Sequence, residues 1–171
     1  MLDLKRKGYQ ADGLRELVST LPDGPLTMVE VGSWCGESAA IFAESGKFSR
    51  IVCVDPWENL PAEEAAFDAV AAQYPCILKW KTYSLRAARL LEKAMGMAQV
   101  DLCYVDARHS YGHVKADIQA WLPRVRPGGI IAGHDYNWSH PGVIRAVDEL
   151  LGIPHHVFRD ASWMVLTAAD S

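Results

Sequence analysis

The sequence predicts an α/β fold in which a mostly parallel β-sheet is covered on both faces by helices. Apolar, β-branched runs typical of buried strands alternate with segments of helical spacing from Thr27 onward. The last two strand-like segments are separated only by residues 159–162. That connection is too short for a parallel crossover, so we expect the last strand to run antiparallel.

The length and composition favour a single domain over residues 1–171. The chain is 50% hydrophobic and 22% charged, which suits one core and leaves little room for a second domain. Residues 1–24 are predicted to form a helical lead-in, with Leu14, Leu17 and Val18 at helical spacing. Residues 1–7 lack a signal peptide's apolar core, and no apolar run approaches the ~20 residues that span a bilayer. We therefore expect a cytoplasmic protein.

The charge and the cysteine pattern exclude several partner classes. A net charge of −4 predicts neither general nucleic-acid binding nor attachment to an anionic membrane. The four cysteines are scattered, with no C-x-x-C pair to begin a zinc site. Six tryptophans offer candidate contact surfaces for a homo-oligomer.

The first strand, turn, helix and second strand carry the predicted ligand site. Residues 27–31 form an apolar run, Gly32 and Gly36 bound the turn that follows, and a second strand over 51–54 ends on Asp55. In a right-handed βαβ unit the glycines let the backbone approach a ligand, and an acid at the tip of strand two can accept both hydroxyls of a ribose. This arrangement predicts a site for an adenosyl group.

The glycine spacing distinguishes between adenosyl ligands. A dinucleotide fingerprint reads G-x-G-x-x-G and seats a pyrophosphate on the helix N-terminus, whereas this turn reads Glu30-x-Gly32-x-x-x-Gly36. The absent glycine and the lack of room for a catalytic domain argue against a nicotinamide-dependent oxidoreductase. A turn that only helps the strand and helix to pack is the structural alternative.

The remaining elements continue the alternation of strands and helices. We predict helices over 62–72, 85–95 and 142–151, another through Val114, Ile118 and Trp121, and strands over 77–82, 100–105, 129–133, 155–158 and 163–167. The helix through Val114, Ile118 and Trp121 is expected to end at Pro123 and residues 126–129, before strand five.

Three residues near the expected sheet edge have two interpretations each. Trp57, after Asp55, either shields an adenosine or packs in the core. Ser84, after strand three, lies near an adenine, caps the next helix, or does both. His140 lies in loop 136–141, which either lines an acceptor pocket or is an ordinary surface loop.

Three later segments carry a specific resemblance: YVDARHSY over 104–111, WLPRVRPGG over 121–129 and GHDY over 133–136. With the E-x-G-x-x-x-G turn and Asp55, they resemble class I S-adenosylmethionine (SAM) dependent methyltransferases. The branch is that of small-molecule and sugar O-methyltransferases related to the cephalosporin-biosynthesis and macrolide-sugar enzymes. The resemblance spans about residues 25–150 and implies a Rossmann-like, seven-stranded sheet with SAM as cofactor.

The resemblance also implies roles for individual residues. The turn, with Glu30, would hold the methionine moiety, Asp55 the ribose and Ser84 the adenine side, while Asp106 would lie between cofactor and acceptor. The cofactor-binding positions carried over are Glu30, Gly32, Ser33, Trp34, Gly36, Asp55, Ser84 and Asp106.

Metal-assisted and metal-free catalysis are both compatible with the sequence. Relatives hold a divalent ion, usually Mg²⁺, at positions that here are Asp106, His134 and Asp135. His134 departs from the pattern, because imidazole suits a transition metal better than Mg²⁺. In the metal-free alternative, His109 or His134 takes the acceptor's proton as a general base. Asp106, His109 and His134 are therefore the candidate catalytic residues.

The expected function is SAM-dependent methylation, directed to an oxygen of a small hydroxylated molecule or sugar. Such a transfer needs the nucleophile, methyl group and sulfur to be aligned and a proton to be removed. The expected partner is thus a small-molecule acceptor. A SAM-binding or interaction module without turnover is the alternative, since so short a chain offers little material for a substrate cap.

Overall fold

Strands and helices alternate along residues 8–169, the part of the chain that the computed structural model describes. The helices are α1 (Gly8–Thr20), α2 (Glu37–Glu44), α3 (Pro61–Ala71), α4 (Ser84–Met95), α5 (Tyr111–Trp121) and α6 (Pro141–Leu151). The strands are β1 (Leu26–Val31), β2 (Phe48–Asp55), β3 (Ile77–Lys81), β4 (Val100–Val105), β5 (Val125–Gly133), β6 (His156–Val157) and β7 (Trp163–Leu166). A short 3-10 helix, Leu122–Arg124, joins α5 to β5.

The strands form one seven-stranded sheet in the order β3-β2-β1-β4-β5-β7-β6. The five strands from β3 to β5 pair in parallel, and β7 lies antiparallel between β5 and β6. The predicted Rossmann-like sheet with an antiparallel last strand is confirmed. The parallel strands bring the ends of β1, β2, β4 and β5 to one edge, where ligands bind in open α/β sheets.

Helices cover both faces of the sheet, as predicted. Neighbouring residues of a strand point to opposite faces, so Met28 packs in a cluster with Phe42 and Phe67, and Val29 in a second cluster with Leu91 and Ile118. Each of these side chains is fully buried. Burial of a side chain of this kind contributes about 1.5–3 kcal/mol, so the two clusters hold the strand ends rigidly.

The expected lead-in helix is present as α1. Leu14 and Leu17 are fully buried against one face of the sheet. The expectation about a signal peptide concerns residues 1–7, which lie outside the described residues. Within residues 8–169, no helix is long and apolar enough to cross a membrane.

The predicted start of β5 at residue 129 is wrong. The strand begins at Val125, which pairs with Val100, and the register shifts before Ile130 pairs with Leu102. Pro127 and Gly128 are accommodated because this irregularity removes them from the ladder. Pro127 and Gly128, residue types that usually end a strand or helix, therefore lie inside β5.

Candidate functional site

A cavity of about 940 Å³ lies at the carboxyl ends of the parallel strands. Its wall is formed by the turn after β1, the residues after β2, the start of α4, and the segments that follow β4 and β5. Gly32, Asp55, Ser84, Asp106 and His134 all line it. The fold thus brings residues from five separate segments into one space.

The turn after β1 requires glycine at both of its ends. Gly32 has φ 90°, and a Cβ there would lie 2.3 Å from the carbonyl oxygen of Asp106. Gly36 has φ 84°, and its N–H donates to the carbonyl of Ser33 at 2.7 Å. Residues other than glycine rarely adopt such φ values. The glycine spacing is therefore explained by the backbone's path beside β4 and into α2, and Ser33 and Trp34 between the glycines line the cavity.

Two backbone groups fix the Asp55 carboxylate at the tip of β2. Oδ1 accepts the N–H of Trp57 at 2.8 Å, and Oδ2 accepts the N–H of Trp34 at 3.1 Å. A carboxylate has about four acceptor sites, so each oxygen keeps one for a further donor. The geometry suits a ligand that presents two neighbouring hydroxyls.

Trp57 packs in the core, which decides between its two interpretations. The side chain is 2% exposed, its ring lies 4.7 Å from that of Phe67, and it is not among the residues that line the cavity. Its indole N–H donates to the carbonyl of Trp34 at 2.7 Å. Trp57 therefore braces the turn from behind rather than covering a ligand.

Ser84 is tied to α5 instead of capping α4. It is the first residue of α4, Tyr83 is at the N-cap, and no side-chain cap bond forms. The Ser84 hydroxyl donates to Asp117 Oδ1 at 2.5 Å and accepts from the indole of Trp121 at 2.9 Å. Ser84 also lines the cavity. Its expected place beside an adenine stays a prediction.

Sequence analysis missed Asp117, a buried acid in the cavity wall. Burial raises the pKa of its carboxyl, opposed by the hydrogen bond from Ser84 and the charge of His113. The available signal was an acid on the buried stripe of α5, between Val114 and Ile118. An acidic group there is unexpected unless a nearby donor satisfies it.

Glu30 lies behind the cavity rather than in its wall. Its side chain is fully buried, and Oε2 accepts the thiol of Cys53 at 3.6 Å. It is not among the lining residues, because its position in β1 directs it to the same face as Met28. Both the expected contact of Glu30 with the methionine moiety and its role in shaping the turn stay predictions.

The structure brings together the three residues predicted to hold a metal ion. Candidate ligand atoms of Asp106, His134 and Asp135 lie within 4.8 Å of one another. His134 Nδ1 is 3.2 Å from Asp135 Oδ1, and its Nε2 is 3.7 Å from the buried Asp160. Two carboxylates and an imidazole suit a divalent ion, and the imidazole favours a transition metal.

His109 lies at the open side of the same group. Its Nε2 is 2.9 Å from Asp135 Oδ2 and 3.7 Å from Asp106 Oδ1. Asp106 and then Asp135 raise the pKa of His109, against the effect of partial burial. A neutral His109 can accept a proton, and the two carboxylates stabilise the imidazolium that results.

Asp135 is the centre of this cluster. Its φ is 62°, a left-handed conformation that aspartate tolerates better than most residues. Burial acts to raise the pKa of its carboxyl, but the hydrogen bond from His134 and the charges of His134, His109 and His140 outweigh it and lower the pKa. His140 Nδ1 lies 3.3 Å from Asp135 Oδ1, so His140 contacts this cluster, but it is not among the residues that line the cavity.

Comparison with known proteins finds similarity to a methyltransferase domain. The sequence profile described as "Methyltransferase domain" matches residues 29–136. The uncharacterized protein y4gI of Sinorhizobium fredii is 27% identical over 150 residues, covering 77% of this chain. Protein R132 of Acanthamoeba polyphaga mimivirus, also uncharacterized, is 26% identical over 147 residues, covering 81% of this chain. The chain spans only 16% of the first and 65% of the second.

Several solved structures with the same fold are O-methyltransferases. The apo structure of CalS11, a TDP-rhamnose 3'-O-methyltransferase of calicheamicin biosynthesis, matches with a TM-score of 0.62 at 20% identity, covering 91% of this chain and 76% of that one. A Bacillus cereus O-methyltransferase in complex with SAH matches with a TM-score of 0.69 at 17% identity, covering 95% of this chain and 82% of that one. TomG of Streptomyces achromogenes, in complex with SAM, matches with a TM-score of 0.68 at 16% identity, covering 99% of this chain and 84% of that one.

Proposed function

Because the chain belongs to the methyltransferase domain family and has the class I SAM-dependent fold, we propose that it methylates a hydroxyl oxygen of a small molecule or sugar. The observation that carries the proposal is the cavity that joins the glycine turn and Asp55 to the Asp106, His109 and Asp135 cluster. One end of this space suits an adenosyl group and the other holds groups that remove or disperse a proton.

The charge of the cavity wall supports SAM over a dinucleotide. Its lining contains six acids, Glu37, Asp55, Glu58, Asp106, Asp117 and Asp135, against Arg108 as the one Lys or Arg. SAM carries a positive sulfonium, whereas a dinucleotide brings a negatively charged pyrophosphate. The acidic wall attracts the first and repels the second.

The proposed cofactor lies along the sheet edge in the order of the strands. The adenine is near Ser84 and the ribose hydroxyls bind Asp55, which keeps one acceptor site on each oxygen. The methionine moiety follows the backbone from Gly32 to Gly36. The sulfonium methyl group then points toward the space between Asp106 and His109.

Methyl transfer at this site needs one proton acceptor. The acceptor's oxygen forms the new C–O bond as the S–C bond of SAM breaks, S-adenosylhomocysteine (SAH) leaves, and the hydroxyl proton passes to the imidazole of His109. Asp106 and Asp135, whose carboxylate oxygens lie 3.7 Å and 2.9 Å from Nε2, stabilise the imidazolium. Asp106, His134 and Asp135 are the residues that would hold a divalent ion, which when bound supplies a Lewis acid for the acceptor oxygen.

A transfer assay with labelled cofactor tests the proposal. The protein is incubated with methyl-labelled SAM and a panel of hydroxylated small molecules and sugars, in EDTA, Mg²⁺ or Mn²⁺. We expect label on an oxygen of at least one acceptor, a loss of about 100-fold at subsaturating SAM in Asp55→Ala, and little change in Asp68→Ala, which removes an exposed acid of α3. Two hydrogen bonds to a charged group, at ~1.5 kcal/mol each, account for that factor.

Two results would contradict the proposal. Binding of SAH without transfer to any acceptor would favour the SAM-binding module without turnover. A requirement for NAD⁺ in place of SAM would mean that the glycine turn holds a different cofactor.

A further inference from the structure

We propose that the indole of Trp138 is a stacking surface for a second sugar ring of the acceptor, so that the reacting hydroxyl belongs to an oligosaccharide. The inference rests on the proposed function, because it concerns the acceptor of the same reaction. It adds a binding residue outside the cavity and narrows the acceptor to an extended, uncharged carbohydrate.

Trp138 lies in a short loop, residues 136–140, that begins and ends beside Asp135. The loop follows Asp135 in the chain and returns to it through His140, whose Nδ1 is 3.3 Å from Asp135 Oδ1. The ring of His140 also packs against that of His109, with the centroids 4.8 Å apart. Successive Cα atoms are about 3.8 Å apart, so the Cα of Trp138 is within ~8 Å of that of His140 and ~11 Å of that of Asp135. Trp138 is therefore beside the place where the acceptor's hydroxyl loses its proton.

The Trp138 side chain is open to solvent. It is 91% exposed, the highest value among the exposed large hydrophobic residues of the described chain. Tryptophan is usually well buried, because contact of its large apolar surface with water is unfavourable. The indole therefore contributes little to the stability of the fold and has both ring faces available to a ligand.

Hydrogen bonds fix the backbone on both sides of Trp138. The N–H of Asn137 donates to the carbonyl of Asp135 at 2.8 Å, and the carbonyl of Asn137 accepts the N–H of His140 at 2.9 Å. The side-chain oxygen of Asn137 accepts the N–H of Ser139 at 2.9 Å. A ligand that packs on the indole thus does not have to order the loop first, which lowers the entropic cost of binding.

The groups that flank Trp138 fit an uncharged ring rich in hydroxyls. Residues 136–140 include no Lys, Arg, Asp or Glu, so an anionic group finds no cation in this loop. The Asn137 amide uses its oxygen within the loop, which leaves its NH₂ group as a donor, and Ser139 is exposed. The negative face of an indole attracts the partly positive C–H groups of a pyranose ring. Its hydroxyls can then bond to the neighbouring amide and hydroxyl.

The positions of His109 and Trp138 set the size of the acceptor. His109 lines the cavity, whereas Trp138 is not among the lining residues. The His109 side chain is 41% exposed, so the acceptor extends from this histidine into solvent rather than into a closed pocket. The ring that packs on Trp138 is therefore a different ring from the one whose hydroxyl reacts.

Transfer kinetics on matched saccharides test the inference. Glucose, mannose and N-acetylglucosamine are compared with their linear di- and trisaccharides, using methyl-labelled SAM. We expect at least one series in which kcat/KM rises from the monosaccharide to the longer sugars by about 10-fold, the factor that one stacked ring contributes. Trp138→Ala should remove this gain by raising KM for the longer sugars without lowering kcat. Trp138→Phe should retain most of the gain, because it keeps a ring at this position.

Ile153→Ala is the matched control, since Ile153 is 86% exposed and follows the far end of α6, whose 11 residues span about 16 Å. It should keep the full gain.

Four results would overturn the inference. The first is equal kcat/KM for monosaccharides and longer sugars in the wild type, and the second is an equal loss on both in Trp138→Ala. The third is a larger gain with phenyl glycosides than with disaccharides, which would assign the indole to an aromatic ring. The fourth is a change in the oligomeric state of Trp138→Ala with the gain intact, which would assign Trp138 to a contact between copies of the chain. Absence of transfer to every saccharide would also overturn it, and SAH binding with transfer to another hydroxylated molecule would show that the proposed function still holds.

Discussion

The indole N–H of Trp57 donates to the carbonyl oxygen of Trp34 at 2.7 Å and so links the loops that follow β1 and β2. Both tryptophans have positive φ values, 41° at Trp34 and 43° at Trp57. Their backbone N–H groups bind the two oxygens of Asp55. The three residues form a closed hydrogen-bonded arrangement that holds the glycine turn and the carboxylate in one geometry.

We expect Trp57→Phe to weaken this arrangement while keeping an aromatic ring against Phe67. The substitution removes the donor to Trp34 and leaves unfilled volume, so the free energy of unfolding should fall by about 1–3 kcal/mol. SAH affinity should also fall, because Asp55 is less firmly oriented. Urea unfolding and calorimetry measure the two effects. Trp138→Phe is the control, since Trp138 is 91% exposed; an equal loss in both variants would contradict this role of Trp57.

The stability of Asp117→Asn relative to wild type is expected to depend on pH. Burial raises the pKa of Asp117 above its ordinary value of 3.8. The protonated carboxyl therefore contributes stability that is fully present below pH 3.8 and is lost as the pH rises through the raised pKa. Asn keeps an oxygen acceptor for Ser84 and carries no charge. In thermal unfolding from pH 4 to pH 8, the melting temperature of the variant should rise relative to that of the wild type as the pH rises. A difference in melting temperature that does not change with pH would contradict the raised pKa of Asp117.

Asp101 is expected to stabilise the junction of β1, β4 and β5, with a pH dependence opposite to that of Asp117. Its carboxylate accepts the N–H and hydroxyl of Thr27, both at 2.8 Å, and the side chain of Arg126 at 2.6 Å. Burial acts to raise the pKa of Asp101, but these hydrogen bonds lower it below 3.8. The stability it contributes is therefore present above pH 3.8 and is lost as the pH falls through the lowered pKa.

Replacement of Asp101 by Ala should cost about 1–3 kcal/mol at pH 7, because the Thr27 N–H loses its partner. Asp12→Ala, which removes an exposed ion pair with Arg15, should change the free energy of unfolding by less than ~0.5 kcal/mol. Chemical unfolding at pH 7 and pH 3 measures both. An Asp101→Ala cost that stays constant to pH 3 would contradict the charge-based explanation.

Gly142→Ala should separate α6 from the segment before α5. The added Cβ would meet two backbone atoms that cannot rotate away, at 2.6 Å and 2.9 Å, so we expect the free energy of unfolding to fall by about 1–3 kcal/mol. Gly112→Ala is a matched control in α5, because a Cβ there has no atom within 4 Å. It should be neutral or stabilising by up to ~1 kcal/mol. Equal behaviour of the two variants in thermal unfolding would show that the close approach at Gly142 is not needed.

Local sequence patterns predicted the features of the fold that depend on neighbouring residues. Alternation of strands and helices predicted the mostly parallel sheet, and the short connection over 159–162 predicted the antiparallel last strand; the structure confirms both. The start of β5 was missed because Pro127 and Gly128 usually end elements, and only the pairing partners of the strand reveal the irregularity that accommodates them.

The site was less predictable where it depends on tertiary packing. Motif resemblance suggested Asp106, His134 and Asp135, and the structure brings them together. No local pattern places His140 beside His109, since Gly142 and the packing of α5 on α6 decide that contact. Trp57 could not be assigned from sequence either, because its neighbour Phe67 lies in a different element.

Binding of SAH to the wild type and to Asp55→Ala tests the central claim most directly. Calorimetry should show binding to the wild type and an affinity about 100-fold lower in Asp55→Ala, with Asp68→Ala unchanged and all three proteins folded. Loss of the two proposed ribose hydrogen bonds accounts for that factor. Equal SAH affinity in Asp55→Ala and wild type would contradict the assignment of the cavity as the cofactor site.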